Sequence, residues 1–398
     1  MTARRCDIAI LGGGLAGGLV ALALRRARPD LSLLLVEQGE RLGGNHVWSF
    51  FGSDVGNEGR ALLDGMFVAA WPEYTVHFPA FRRRLKTSYY SITSRRFDAV
   101  LRAALGQDSL ITGVRALACS ATKVTLSEGT RIEAGAVIDA RGLRNLQHLT
   151  GGWQKFVGRR LRLAQPHSLD APIVKDASVE QIDGYRFVYC LPFAADEIFV
   201  EDTYYSDSPA LDVAVLGERI DAYVAARGWQ VAEVLGEEHG VLPVVAGGNF
   251  DAFWRSSGGA VARAGVRAGL FQAVTSYSLP DAVRFALALA RQPDLGGEAL
   301  AAFSEAYARR HWKRSAFHRA LSAMLFAAAR PEHRYRVLER FYRLDRRLIE
   351  RFYAGRTTLL DKARILSGKP PVPVTKAIGV LTGLGARPNP LSFAGTRA

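Results

Sequence analysis

The apolar positions of this chain fall into two rhythms. Cys6-Asp-Ile-Ala-Ile-Leu reads as a short buried strand, and beyond a glycine cluster Leu19, Val20, Leu22, Ala23 and Leu24 recur at helical spacing to about Arg28. Leu31 to Val36 is a second apolar strand, ending at Glu37. Strand, helix and strand in this order predict a βαβ unit with parallel strands. Further on, Lys123 to Glu133 has a hairpin-like pattern, Ala136 to Ala140 is an apolar strand running into the turn Asp139-Ala140-Arg141-Gly142, and Ile198 to Thr203 alternates with period two. Asp281 to Arg291 reads as a helix. From Phe303 onward, positions such as Trp312, Leu325, Phe341 and Phe352 are interleaved with arginines, which predicts helices with one apolar side and one arginine-rich side.

Composition narrows the class. At 398 residues, 48% hydrophobic and 23% charged, the chain is globular, which excludes collagen-like and disordered readings and implies two interleaved domains or one large one with a satellite. Three scattered cysteines, Cys6, Cys119 and Cys190, have no metal-ligand spacing and suggest a reducing compartment, so no metal is expected. No signal-peptide pattern follows Met1, and the longest apolar runs are too short to cross a bilayer. The formal charge is +14: residues 1–300 carry 32 basic and 32 acidic side chains, and residues 301–398 carry 20 and 6. A basic, aromatic-rich helical end suits an anionic membrane surface better than nucleic acid, so a cytoplasmic protein lying on the inner face of the membrane is expected, with a solvated helical face as the plainer alternative.

The glycines carry the first chemistry. Gly12, Gly14 and Gly17 stand where the G-x-G-x-x-G fingerprint requires a tight turn, backbone approach to a pyrophosphate and close helix packing, with Leu15 and Ala16 at the helix start. Glu37 follows Gly17 by 20 residues, where a carboxylate accepts from ribose hydroxyls. Together these predict a bound dinucleotide, with a relic fold that binds none as the lesser alternative. Arg41-Leu42-Gly43-Gly44 adds a second glycine turn of the kind that brings the chain back past a flavin, which makes Gly44 a cofactor candidate. Asp139 closes its strand either at the cofactor or as an ordinary strand end. Gly265 and Gly269, before Thr275 to Pro280, mark either a third cofactor segment, with free backbone N–H groups at a helix start, or a simple helix entry. No second fingerprint exists for a nicotinamide.

Several further segments carry a resemblance. Gly43-Gly44-Asn45-His46-Val47-Trp48-Ser49-Phe50, Ile92-Thr93-Ser94-Arg95-Arg96-Phe97, Gly184 to Tyr189, Glu201-Asp202-Thr203, Tyr277-Ser278-Leu279-Pro280, Arg351 to Gly355 and Ile365 to Val374 follow one another over nearly the whole chain. Together they closely resemble the bacterial lycopene β-cyclases. The resemblance implies a glutathione-reductase-like FAD-binding Rossmann fold with a sheet-based substrate domain, reduced FAD as the active form, NADPH as electron source, and lycopene and related carotenes as substrates. It adds Arg96 to the cofactor residues. It also places the family's acidic motif on Phe199 to Thr203, which makes Glu201 the acid or base and Asp202 its helper. Ser276 stands where bacterial members more usually carry glycine.

Residue chemistry agrees with that reaction. A polyene offers no handle to a nucleophile, so ring closure begins with protonation of the terminal alkene, and a carboxyl walled by Phe193, Phe199, Tyr204 and Tyr205 has its acid form favoured by desolvation. Trp48, Tyr185 and Tyr189 are candidate cation stabilisers as well as candidate core residues, and His46 is either a second base or a structural residue. The expected organisation is a discontinuous FAD domain (1–60, 90–160 and 250–300), a substrate domain (61–89 and 161–249) and a basic helical region (301–398). The competing functions are a flavin monooxygenase or isoprenoid reductase of the same fold, and a non-catalytic prenyl-lipid escort protein.

Overall fold

The computed structural model describes residues 3–143, 145–256, 258–368 and 372–393. Lys369 to Pro371 of the Ile365 to Val374 motif, and residues 394–398 of the tail, lie outside them. Three sheets organise the described residues. The first runs Leu110–Ile111, Leu33–Val36, Ala3–Leu11, Arg131–Asp139, then the antiparallel strands Lys123–Leu126 and Ala116–Cys119, with Ala262–Arg263 paired to the far end of Arg131–Asp139. Its central strands are parallel and their ends are level: Leu11 pairs with Val36 and Asp139, and Asp139 pairs with Arg263. The loops leaving those ends therefore share one edge, where open α/β sheets bind their ligands.

The helix Leu15–Ala27 lies on this sheet, buried along nearly its whole length because the helix Leu279–Ala290 packs on its other side. Gly18 permits a further approach, since a Cβ there would lie 2.5 Å from both Phe97 and Leu101. A small sheet of Val47–Phe51, Tyr89–Thr93 and Ala69–Trp71 bridges to the large one. The large sheet runs Val231–Gly248, Leu149–Leu163, Glu197–Ser206, Tyr185–Pro192, Ile173–Asp176, Tyr74–Phe78 and Phe81–Leu85. The expected domain limit at residue 160 thus falls inside a strand of this sheet. Period-two alternation gives the sheet two different faces. Val157, Val188, Ile198 and Val200 pack with Leu216, Ile220 and Val224 of the helix Val213–Ala226, while Tyr185, Phe187, Phe199 and Tyr205 on the opposite face cluster with Phe51 and Tyr89 of the small sheet and with Phe326 and Tyr353 of the C-terminal region.

The C-terminal helices form as the interleaved pattern predicts. Phe341, Tyr342, Leu348, Ile349, Phe352 and Tyr353 turn inward with Tyr74, Val76 and Phe78, and Phe326 lies against Gly152, where a Cβ would meet its ring at 2.0 Å. Part of the basic surplus is buried or paired. Arg334 is 1% exposed, bonded to Asp207 and to the Leu325 and Phe326 carbonyls, and Arg351 is held by Asp361 at 2.6 and 2.7 Å. Leu359, Leu360 and Leu384 are more than four-fifths exposed, with Leu366 and Ile378 beside them in sequence. Among the described residues no helix is long and apolar enough to cross a membrane.

Candidate active site

A cavity of about 920 Å³ runs from the edge of the first sheet to the inner face of the large one. Gly12, Gly14, Leu15, Ala16, Glu37, Gly44 and Gly265 line it at one end. Gly12 has φ +96°, and a Cβ there would press on the Ala140 carbonyl at 3.0 Å. At Gly14 a Cβ would meet nothing within 4 Å and would project into open space beside the helix N-terminus, whose first N–H groups have no partner within the helix. Gly265 (φ +59°) comes so close to that helix that its Cβ would lie 2.4 Å from the Ala16 methyl. The Glu37 carboxylate accepts from Gly13 N–H at 2.7 Å and Gly39 N–H at 2.9 Å, which fixes it at the end of its strand. An unobstructed backbone loop, a helix N-terminus and a fixed carboxylate fit a dinucleotide's pyrophosphate and ribose.

The other end of the cavity is acidic and aromatic. Glu201 lies inside the strand Glu197–Ser206, and its neighbours across the sheet are Gly158 on one side and Tyr189 on the other. Gly158 pairs in turn with Glu238. Directly opposed residues share a face, so Glu238, Gly158, Glu201 and Tyr189 form one row, with the two glutamate Cα atoms about 10 Å apart. The Phe199 ring occupies the space that a Gly158 side chain would fill, 2.3 Å from its Cβ position. Burial raises both glutamates well above the usual carboxyl range. Against this, Glu201 accepts from the Thr203 hydroxyl and faces the Lys175 charge, while repulsion from Glu201 raises Glu238 further. Val47 N–H donates to Glu238 Oε2 at 2.8 Å, and His46 Nδ1 lies 3.8 Å from the same oxygen. Burial lowers the His46 pKa, favouring the neutral ring. Lys175 also opens on this cavity, with Nζ 3.8 Å from the Phe187 ring centroid, and burial lowers its pKa to about 7.

A buried acid poised near neutrality, an aromatic wall and an adjoining dinucleotide cradle suit proton-driven chemistry on an apolar substrate. The family model described as lycopene cyclase protein matches residues 7–378. The chain belongs to the lycopene cyclase family. It is 47% identical to the lycopene beta-cyclase of Pseudescherichia vulneris, covering 93% of this chain and 96% of that one. The lycopene beta-cyclase of Pantoea ananas is 42% identical, covering 94% and 97%. Among solved structures, a geranylgeranyl bacteriochlorophyll reductase-like protein from Thermoplasma acidophilum superposes with a TM-score of 0.61 at 14% identity, covering 96% of this chain and 100% of that one. A halogenase PltM mutant in complex with FAD gives 0.59 at 12% identity, covering 94% of each. The likeness gives this chain an FAD-binding Rossmann-type fold.

Within this family member, five of the residues expected at the site do not line the cavity. Asp202 follows Glu201 in sequence and so points to the sheet's opposite face, where it is fully buried on Arg186 Nη2 at 2.6 Å and Nε at 2.8 Å. It does not enter the cavity with Glu201, and reaches it only as a charge that helps raise the Glu201 pKa. Arg96 is also placed away from the cofactor end: its Nε donates to the Gly65 carbonyl at 2.6 Å, and its side chain lines a separate depression with Arg95, Arg160 and Glu197. Asp139 turns inward. Burial raises its pKa, but Arg141 and Arg267, each at 2.8 Å, more than offset this and hold it below the usual range. It thereby braces the cavity-lining loop 140–143 from behind. Gly17 serves packing, since a Cβ would lie 2.0 Å from the Gly12 carbonyl oxygen, and Gly269 (φ +70°) ends the 3-10 turn Gly265–Ala268. Ser276 adopts φ +56°, a left-handed conformation in which glycine is at ease, and is held there by Oγ donating to the Pro243 carbonyl at 2.5 Å.

Sequence reasoning missed Glu238 and Lys175. Glu238 sits in Gly236-Glu-Glu-His-Gly240, which reads as a solvated polar stretch, and Lys175 is a single lysine between Val174 and Asp176. It also missed Asp54, fully buried behind the cavity. Asp54 accepts from the Tyr277 hydroxyl at 3.1 Å, and burial raises it to about 7.

Proposed function

We infer that the protein closes the ψ end groups of lycopene into β-rings by acid–base chemistry, with no net redox change. The observation that carries this reading is Glu201, a buried carboxyl held toward its acid form on an aromatic face of the cavity that also holds the dinucleotide cradle. Family membership over nearly the full length supports cyclisation over the oxygenating, reducing and escort alternatives. Glu201 donates a proton to the terminal alkene, giving a tertiary cation. The neighbouring alkene attacks that cation, and loss of a ring proton completes the new double bond. Phe187, Tyr189 and Phe156 line the space in which the positive charge develops, and their ring faces stabilise it. Glu238 stands across Gly158 as a second carboxyl, held by Val47 N–H.

The glycine cradle is read here as the FAD site, with Gly14 leaving room for the pyrophosphate and Glu37 placed at the ribose. Bound there in its reduced form, with NADPH as the electron source, FAD would supply negative charge that favours a developing cation. The exposed leucines of the C-terminal region, beside Lys362, Arg364 and Lys376, are read as the surface that meets an anionic membrane from which the carotene enters. Expression in cells that accumulate lycopene tests the reading: the pigment should become cyclic at unchanged mass. A product heavier by oxygen or hydrogen, or lycopene left unchanged, would overturn it.

A further inference from the structure

Lys175 is a charge-bearing side chain in a site that develops positive charge, and the roles above leave it without work. It stands on the strand Ile173–Asp176 and is 7% exposed, and its Nζ lies over the faces of Phe187 (3.8 Å) and Tyr185 (5.8 Å). Among the described residues no carboxylate comes within 4.0 Å of that nitrogen. Buried lysines without a paired carboxylate are rare, because desolvation penalises the ammonium. We propose that Lys175 is the base of the reaction: its ε-amine takes the proton that leaves the newly closed ring and returns it to Glu201.

The proposal rests on the cyclase reading. Its atoms and electrons balance within the cavity. The Glu201 O–H breaks as a C–H bond forms at the terminal alkene carbon, and the second alkene's electrons form the ring C–C bond. A ring C–H then breaks, its electron pair becomes the ring double bond, and the proton adds to the lone pair of Nζ. Because Nζ and the Glu201 carboxylate lie more than 4.0 Å apart, the proton returns to Glu201 by way of solvent, which restores both groups, and nothing is oxidised or reduced. Burial, the largest influence on each, favours the carboxylic acid at Glu201 and the free amine at Lys175, which is the pairing the first step needs; the attraction between their charged forms works against it. The other titratable groups facing this space are Glu238, His46 and the phenols of Tyr89, Tyr189, Tyr205, Tyr277 and Tyr353, with the Tyr185 phenol close to Lys175, all six phenols held protonated by burial. Glu238 is the poorer acceptor, because one of its oxygens already takes the Val47 N–H and Glu201 raises its affinity for a proton it already holds.

Position of the base decides which proton is lost, so the test reads the position of the ring double bond. Lys175→Met, Lys175→Arg and Glu238→Gln are prepared as full-length flavin-loaded protein and given lycopene under reducing conditions. Lys175→Met should turn over at least about 100-fold more slowly and yield rings with the double bond displaced, or cation captured by water. Lys175→Arg should fail in the same way, because a guanidinium stays protonated and cannot accept the proton. Partial misfolding lowers yield without moving a double bond, so the product pattern separates the two effects. β-Rings as sole product from Lys175→Met at a rate within about threefold of wild type would overturn the proposal. So would full rescue by arginine, or displaced double bonds from Glu238→Gln alone. If the wild-type protein makes no rings, it is the cyclase reading that fails.

Discussion

Glu201 and Asp202 are chain neighbours whose substitution should separate chemistry from stability. Asp202 is fully buried and Arg186 is 7% exposed at its side chain, with N to O contacts of 2.6, 2.8 and 3.2 Å. Asp202→Asn leaves a guanidinium in that interior with no countercharge beside it, and breaking such a pair from one side costs about 3–5 kcal/mol. Against a total stability of about 5–15 kcal/mol the loss is large. It should appear as a clear drop in the urea midpoint, while turnover per folded, flavin-bound molecule stays within about tenfold of wild type. Glu201→Gln should behave in the opposite sense. Burial favours the neutral carboxylic acid, so glutamine replaces a near-isostere, accepts the same Thr203 hydroxyl and should change stability by less than about 1 kcal/mol. Glutamine cannot protonate an alkene, however, and the rate should fall by about three orders of magnitude or more. Urea melts followed by flavin fluorescence, and product formation normalised to bound flavin, measure both quantities on the same samples. An Asp202→Asn protein of normal stability but no activity would refute the separation of the two faces. Glu201→Gln retaining activity within about tenfold, a barrier change of only about 1.4 kcal/mol, would remove Glu201 as the essential acid.

Three further outcomes follow from the geometry. Gly14→Val should fold yet lose most of its flavin, read as the ratio of flavin to protein absorbance, because its side chain enters open cavity rather than protein; Gly17→Val should instead fail to fold. Asp54→Asn should stabilise the protein at pH 8 and leave it nearly unchanged at pH 4. The folded carboxyl titrates at about 7 against the usual 3.8, so its contribution is complete below the lower value and is lost as pH rises through the upper one, by up to about 4 kcal/mol. Leu359→Glu with Leu360→Glu should weaken sedimentation with anionic liposomes at least about tenfold without altering flavin content, and unchanged sedimentation would remove this face from the membrane.

Sequence and structure agree wherever the signal is local. The βαβ unit is legible because Gly12, Gly14 and Gly17 sit between two apolar runs, and the physical demands of a phosphate cradle leave few other residues able to serve there. Glu201 is legible through its motif and its aromatic neighbours. The same motif implies a place for Asp202 beside Glu201, whereas alternation along a strand sends neighbours to opposite faces. Glu238 belongs to the site through register alone: Gly158 pairs with Glu201 on one side and Glu238 on the other, a relation between residues 37 apart in sequence that no local pattern carries. The basic C-terminal quarter misleads in part for a related reason, since a count of charges does not reveal that Arg334 is buried and Arg351 is paired.

Cavity size bears on how a long polyene is handled. About 920 Å³ is near the upper end of the range for sites that enclose one drug-sized ligand, and here the same space serves both the cofactor end and the acid end. A carotene end group beside Glu201 shares this space with the dinucleotide cradle, and most of the extended polyene reaches beyond the acidic end. An apolar chain in that position is favoured by contact with apolar protein surface or lipid and disfavoured by water. Five large apolar side chains exposed between Leu359 and Leu384, in the same quarter of the chain as the basic excess, are the features that suit such contact. Closing both ends then requires the substrate to withdraw and re-enter with its other end group. Two-ring product should lag behind one-ring product in a single incubation, and mutations at this apolar surface should lengthen the lag while leaving the chemistry at Glu201 unchanged.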